Sequence, residues 1–193
     1  MNEYVYPLIF LDGWISLLVI RIPYIRKSLK TESTEYSTGR FDQFLVGILF
    51  LGTSVIPLVD IFTPCLDFAD FTLPFVISML SVAFLFFGLV ILRRAHIDLG
   101  GNYSQDLEVK EEHFLVTGGI YKYICHPMYA AGILVAIAQI GLLQNWIAGF
   151  SGVIVLSFFY LLRVPVEEEM MIKAFGEDYL SYRSQTKRLI PFI

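Results

Sequence analysis

The chain has 193 residues, 56% of them hydrophobic and only 17% charged, with a mean hydropathy of +0.65. A soluble domain of this length carries more charge and fewer apolar runs, so the composition points to a membrane protein. A net charge of −4 offers no footing for nucleic acid, and two cysteines are too few for a disulfide framework.

The N-terminal MNEYVYPLIF has no basic n-region and no small-residue cleavage site, so it does not read as a removable signal. A spanning helix takes about 20 mostly apolar residues. Residues 4–22 meet this as a first predicted span, with Asp12 its one acid, near the outer end where water reaches it. Polar RKSLKTESTEYSTGR follows. Residues 44–62 form a second predicted span, with Pro57 near its far end, and residues 71–92 a third, the most apolar. The polar stretch RRAHIDLGGNYSQDLEVKEEHFLVTGG comes next and places His96 and His113 in a loop. Two shorter apolar runs, 129–143 and 146–162, are parted only by Gln144 and Asn145. So short a turn makes them an antiparallel helical hairpin. Residues 163–193 form a polar, amphipathic tail. There is no internal repeat, low-complexity tract or second soluble domain.

Lys and Arg alternate between connections. The first loop holds Arg21, Arg26, Lys27, Lys30 and Arg40, and the third holds Arg93, Arg94, Lys110 and Lys122. The tail holds Arg163, Lys173, Arg183, Lys187 and Arg188, and the second and fourth connections hold none. The positive-inside rule then predicts five spans, N-terminus out and C-terminus in. The expected fold is an all-α integral membrane protein, one membrane domain over 1–193, with three spans in 1–92 and the hairpin and tail in 93–193. The third loop and the tail share the cytosolic side, so chemistry with a cytosolic cofactor is expected from these two segments.

Within the stretch GGIYKYICHPMYAAG, Pro127 suits the first residue of a helix, where its missing N–H costs nothing. The backbone N–H groups of residues 126–129 would then point out of the helix start and, with the dipole, suit a carboxylate or phosphate. An interfacial aromatic belt with a helix-start proline is the plainer reading of this stretch taken alone. In the tail, Pro165 is expected to end or kink the fifth helix, and a new helix to begin with Glu167, Glu168 and Glu169 in its first turn. Arg163 beside the bilayer either snorkels or receives an anionic head group bidentately. No further Cys/His pair stands at ligand spacing beside Cys125 and His126, so no metal is expected. The chain has no phosphate-loop lysine motif, no GxGxxG and no GxSxG, so any cofactor must be held by the membrane fold itself.

The ordered combination of HFLVTGGIYKYICHPMYAAG, an apolar hairpin and RVPVEEEMMIKAFGEDYLSYRSQTKRLIPF resembles the isoprenylcysteine carboxyl methyltransferase family of integral membrane enzymes. That family's pattern is an RHPxYxG-like stretch, a hydrophobic hairpin, and paired glutamates followed by FGxxYxxY. The resemblance covers about residues 100–191 and suggests a short, prokaryotic-type member. It implies methyl transfer from S-adenosylmethionine to the carboxylate of a lipidic acceptor held in the membrane, such as an isoprenylcysteine. By the same resemblance, Glu108, His113, Phe114, Leu115, Val116 and Tyr121 line the cofactor. His126, Pro127, Met128 and Tyr129 hold its amino-acid end, Glu167 binds it, and Arg163 handles the acceptor carboxylate. Glu168 and Cys125 complete the candidate set. Cys125 stands where the family pattern has Arg, and Ala130 and Ala131 displace the glycine that follows the tyrosine. Two alternatives stay open: a phospholipid or amine N-methyltransferase with Glu168 or His126 as base, and a non-catalytic or reductase-like relative. The acidic DLEVKEEH counts against a nicotinamide phosphate.

Overall fold

The computed structural model describes residues 5–28, 40–103 and 114–189. Helix α1 covers Val5–Ser28. The second span is one run built from α2 (Arg40–Phe50), a π-helical turn (Leu51–Val55) and α3 (Ile56–Phe62). A 3₁₀ segment, Pro64–Ala69, leads to α4 (Phe75–Leu99), followed by α5 (Pro127–Leu143) and α6 (Trp146–Gln185). Four of these runs are long and apolar enough to cross a membrane. The fifth, α5, has 17 residues, about 25 Å at 1.5 Å per residue, the lower limit for a span. The described residues contain no β-strand, only two isolated bridges.

Several boundaries differ from those expected. Helix α1 continues through Pro23 to Ser28, so Arg21, Arg26 and Lys27 belong to its last turns rather than to a loop. Helix α4 starts at Phe75, because Phe71 and Leu73 are bound to the hairpin turn. Their N–H groups donate to the Gln144 carbonyl (2.8 Å) and to Gln144 Oε1 (2.9 Å). At its other end α4 runs on to Leu99 and carries His96 within it. His96 is therefore no loop histidine. It is fully buried between the rings of Tyr24 (4.7 Å) and Tyr103 (4.9 Å). Its Nδ1 lies 2.9 Å from the Leu92 carbonyl, which can only accept, so the proton sits on Nδ1.

The largest departure is at Pro165. The fifth helix does not end there, and α6 continues for 40 residues with its single non-helical residue at Gly176 (φ 54°, ψ −129°). Pro165 lies on the exposed face of α6, where the carbonyl deprived of its N–H partner can turn outward. Glu167, Glu168 and Glu169 thus sit in mid-helix and do not complement a helix N-terminus.

The hairpin forms as expected. Gln144 adopts a left-handed conformation (φ 52°) and closes α5. Asn145, fully buried, caps α6 by accepting from the N–H groups of Ile147 (2.9 Å) and Ala148 (3.0 Å). Its amide donates to the Leu66 carbonyl (2.8 Å) and to Asp70 Oδ1 (2.7 Å), tying the turn to the 3₁₀ segment. Near the turn Gly149 meets Ile140, and further away Gly132 meets Leu156, which makes the pair antiparallel. A Cβ on Gly149 would lie 3.1 Å from the Ile140 backbone, so glycine there sets the close approach of the two helices.

Helices in lipid gain little from burying apolar surface against one another and rely on close packing and polar contacts. Gln139 supplies the latter. Its amide donates to the carbonyls of Ala148 (2.6 Å) and Gly52 (3.1 Å), and the Ser151 hydroxyl also donates to Gly52 (2.6 Å). The π-helical turn shifts the hydrogen-bond ladder around Gly52, and α5 and α6 satisfy its carbonyl from outside. This pins the second span to the hairpin.

Candidate active site

At the end of the bundle that holds the C-terminus of α4, the loop into α5 folds over the middle of α6. Asp98 anchors this loop. Its Oδ2 accepts from the Ile120 N–H (2.7 Å) and from Arg94 Nε (3.1 Å). Gly119 (φ 61°) lies against the same carboxylate, in a conformation and a space that both favour glycine. The turn buries Tyr121, whose carbonyl accepts from the Tyr182 hydroxyl at 2.6 Å. Burial pushes the Tyr121 phenol well above its ordinary range and keeps it protonated. The Phe114 N–H donates to Asn102 Oδ1 (2.8 Å), which fixes the other end of the described loop.

Pro127 is the first residue of α5 and His126 its N-cap. The expected cradle of free N–H groups is only partly present. The His126 N–H donates to the Arg188 carbonyl (3.0 Å), and the Cys125 N–H to the Lys187 carbonyl (2.7 Å). The chain beyond α6 therefore occupies part of the helix start.

On α6, residues four apart share a face. Phe159, Arg163, Glu167 and Met171 form such a row. The guanidinium of Arg163 lies 5.3 Å from the Phe159 ring centroid and its Nε donates to Glu167 Oε1 at 2.9 Å. The Tyr129 hydroxyl donates to the same oxygen at 2.8 Å, so α5 and α6 meet at one carboxylate. Glu168, about 100° further round the helix, faces elsewhere. Its Oε2 meets Arg183 Nη1 (3.2 Å) and Arg188 Nη2 (2.9 Å), and its Oε1 lies 3.4 Å from His126 Nε2.

These elements enclose a pocket of about 220 Å³. Of the expected residues it brings together Phe114, Leu115, Val116, Tyr121, Cys125, His126, Pro127, Met128, Tyr129, Arg163 and Glu167. Glu168 does not line it. Glu108 and His113 lie outside the described residues. The pocket also takes in Asn102, Tyr103, Met170, Met171, Phe175, Tyr179 and Tyr182, none of which had been singled out. Asn102 and Tyr103 lie just past the end of α4, in a polar stretch that carries no local signal for a pocket wall. Tyr179 and Tyr182 belong to FGEDYLSY, whose paired tyrosines were the available signal. Cys125 is buried, its Sγ 3.8 Å from the Thr186 carbonyl, and burial pushes its thiol upward. Among the described residues, no group of three or more His, Cys, Asp or Glu side chains is placed to hold a metal ion.

The sequence model of the isoprenylcysteine carboxyl methyltransferase family matches residues 78–173. Curated relatives named protein-S-isoprenylcysteine O-methyltransferase are similar to the chain. The Schizosaccharomyces pombe protein is 31% identical over 67% of this chain and 57% of its own length. The Homo sapiens protein is 30% identical over 61% of this chain and 42% of its own. The chain thus spans about half the length of these relatives. A solved structure of the eukaryotic intramembrane Ras methyltransferase, an isoprenylcysteine carboxyl methyltransferase, superposes with a TM-score of 0.59. That match covers 95% of this chain and 63% of the other at 23% identity, so the two share a fold.

Proposed function

The chain belongs to the isoprenylcysteine carboxyl methyltransferase family, and from that membership we propose that it transfers a methyl group from S-adenosylmethionine to the carboxylate of an isoprenylcysteine-like lipid in the membrane. The observation that carries this reading is the pocket's charge pattern. Glu167 is the single acid among the described lining residues, and it is held by both Arg163 and Tyr129. S-adenosylmethionine, when bound, supplies a methyl group on a sulfonium and also bears an ammonium, and both cations suit one carboxylate set among aromatic faces. Tyr121, Tyr129 and Phe175 supply those faces. The chemistry of the lining fits the cofactor. The volume falls somewhat below the ~300–1,000 Å³ of small-molecule sites.

Arg163 is 6% exposed and sits where α6 leaves its most apolar stretch. An acceptor carboxylate arriving from the bilayer meets a guanidinium already oriented by Phe159 and Glu167. The acceptor is ionised at neutral pH, since a free α-carboxyl titrates at about 3.5, so no general base is required. The residues then contribute orientation and exclusion of water. Methyl transfer to an amine would require a base. Of the two candidate bases, Glu168 faces Arg183 and Arg188 outside the pocket, whereas His126 lines it.

The same proposal places the pocket on the cytosolic face. Arg93 and Arg94 at the end of α4, and Arg183 and Arg188 beyond Gly176, share the pocket's end of the bundle. The opposite connections at residues 63–74 and 144–145 carry Asp67 and Asp70 with no Lys or Arg. Membranes bearing the chain are incubated with radiolabelled S-adenosylmethionine and either prenylcysteine analogues or lipid extracts. Label is expected on the prenylcysteine carboxyl as a base-labile ester. Label on lipid amines alone, or no calorimetric binding of S-adenosylhomocysteine, overturns the proposal.

A further inference from the structure

Glu168 is 6% exposed, and a carboxylate so buried needs partners on both oxygens. Cys125, beside the His126 that faces Glu168 Oε1, is neutral, and the cations come instead from beyond the Gly176 break. Arg183 belongs to the last turns of α6, and Arg188 to the chain that follows it. Arg188 makes two kinds of contact at once. Its guanidinium binds Glu168 Oε2, and its carbonyl accepts the N–H of His126. Lys187 pairs in parallel with Ile124 and accepts from Cys125. The His126 carbonyl in turn receives the N–H groups of Tyr129 and Ala130 (both 3.1 Å), the first hydrogen bonds of α5. Tyr129 then reaches Glu167.

We propose that residues 186–188, with Arg188 as the principal group and Arg183 in support, are a positioning clasp for the pocket. Arg188 holds Glu168 with its side chain and His126 with its backbone, and so sets the position from which the first turn of α5 directs Tyr129 onto Glu167. The two adjacent glutamates have separate tasks: Glu167 meets the ligand, and Glu168 anchors the C-terminal segment. The clasp depends on the reading above only in that the ligand so positioned is S-adenosylmethionine.

The test uses the full chain in detergent, as wild type, Arg188→Ala and Arg188→Lys. Amide exchange at Cys125 and His126 is followed without ligand, and S-adenosylhomocysteine affinity is measured by calorimetry. Arg188→Ala is expected to speed exchange at both amides and to weaken affinity about tenfold, the scale of one hydrogen bond to a charged group. The unliganded melting temperature should barely move, because Arg183 still holds the same Glu168 oxygen. Lys at 188 keeps the charge and should recover most of both losses. Unchanged exchange and affinity in Arg188→Ala overturn the clasp. So does a loss shared by the Lys variant together with a lowered melting temperature, which marks a merely structural role. A wild-type chain that binds no S-adenosylhomocysteine, but whose two amides still respond to Arg188→Ala, overturns the cofactor reading and leaves the clasp standing.

Discussion

Arg163 and Glu167 stand one turn apart on α6, and Arg163 Nε donates to Glu167 Oε1 at 2.9 Å. The pairing fixes the plane of a group with five donors. Arg163→Ala is expected to lower kcat/KM for a prenylcysteine acceptor by at least ~100-fold, the scale of one lost transition-state contact. Calorimetric affinity for S-adenosylhomocysteine should fall far less than transfer does, by no more than the roughly tenfold of one lost contact to Glu167. Arg163→Lys should behave nearly as badly, because a point charge cannot bind Glu167 and also present a planar fork. Equal loss of binding and transfer would contradict a role toward the acceptor.

Tyr129 and Arg163 share one oxygen of Glu167, which ties the start of α5 to the middle of α6. Tyr129→Phe keeps the ring against Tyr160 and removes only the hydroxyl. A hydrogen bond to a charged group is worth about 1.5–3 kcal/mol, so cofactor affinity should fall roughly 10- to 100-fold. Titration calorimetry reads this directly, and wild-type affinity in the variant would remove Tyr129 from the site.

Gly119 combines a positive φ with direct contact on Asp98. Gly119→Ala adds a left-handed penalty of about 1–2 kcal/mol and displaces the carboxylate that holds Ile120. Thermal unfolding in detergent should shift down by about 2–8 °C for a chain of this size. Gly118→Ala is the control. Its φ is −95° and nothing lies within 4 Å of its added Cβ, so its melting temperature should match wild type.

The two cysteines should differ in reactivity. Cys65 is exposed, and Cys125 is buried with its thiol pushed above the ordinary range by desolvation. The thiolate is the nucleophile, so a raised value means less of it at any given pH. At pH 8 a water-soluble alkylating reagent should modify Cys65 and spare Cys125, whose labelling rises only in denaturant or at strongly alkaline pH. Labelling of both at equal rates, followed by peptide mass analysis, would show that the 125 position is open to solvent.

Much of the fold is written in short-range patterns. Five apolar runs, a two-residue hairpin turn and a proline at the start of α5 follow from hydropathy, chain reach and the geometry of a missing N–H. The motif residues from Phe114 to Glu167 were equally readable as a set, because family-like spacing keeps them together along two segments. The errors cluster where neighbours override local preference. Local preference at Pro165 predicts a helix end or a kink, yet α6 runs on through it, with Pro165 on the exposed face. The polar sequence around His96 predicts a loop, whereas Tyr24 and Tyr103 bury it within α4.

By itself the sequence determined a membrane helical bundle and a tight hairpin, since each depends on composition or on neighbours a few residues away. The resemblance favours Glu167 over Glu168, but only the tertiary structure gives the physical reason, with Glu167 lining the pocket and Glu168 paired with Arg183 and Arg188. Two adjacent residues on a helix point about 100° apart, and which of them meets the pocket depends on the packing of α6 against α5. It alone also brought Arg188, 20 residues from Glu168, onto that carboxylate and onto the start of α5. The bend at Gly176 turns the chain back toward the pocket, and no local pattern specifies where a returning chain lands.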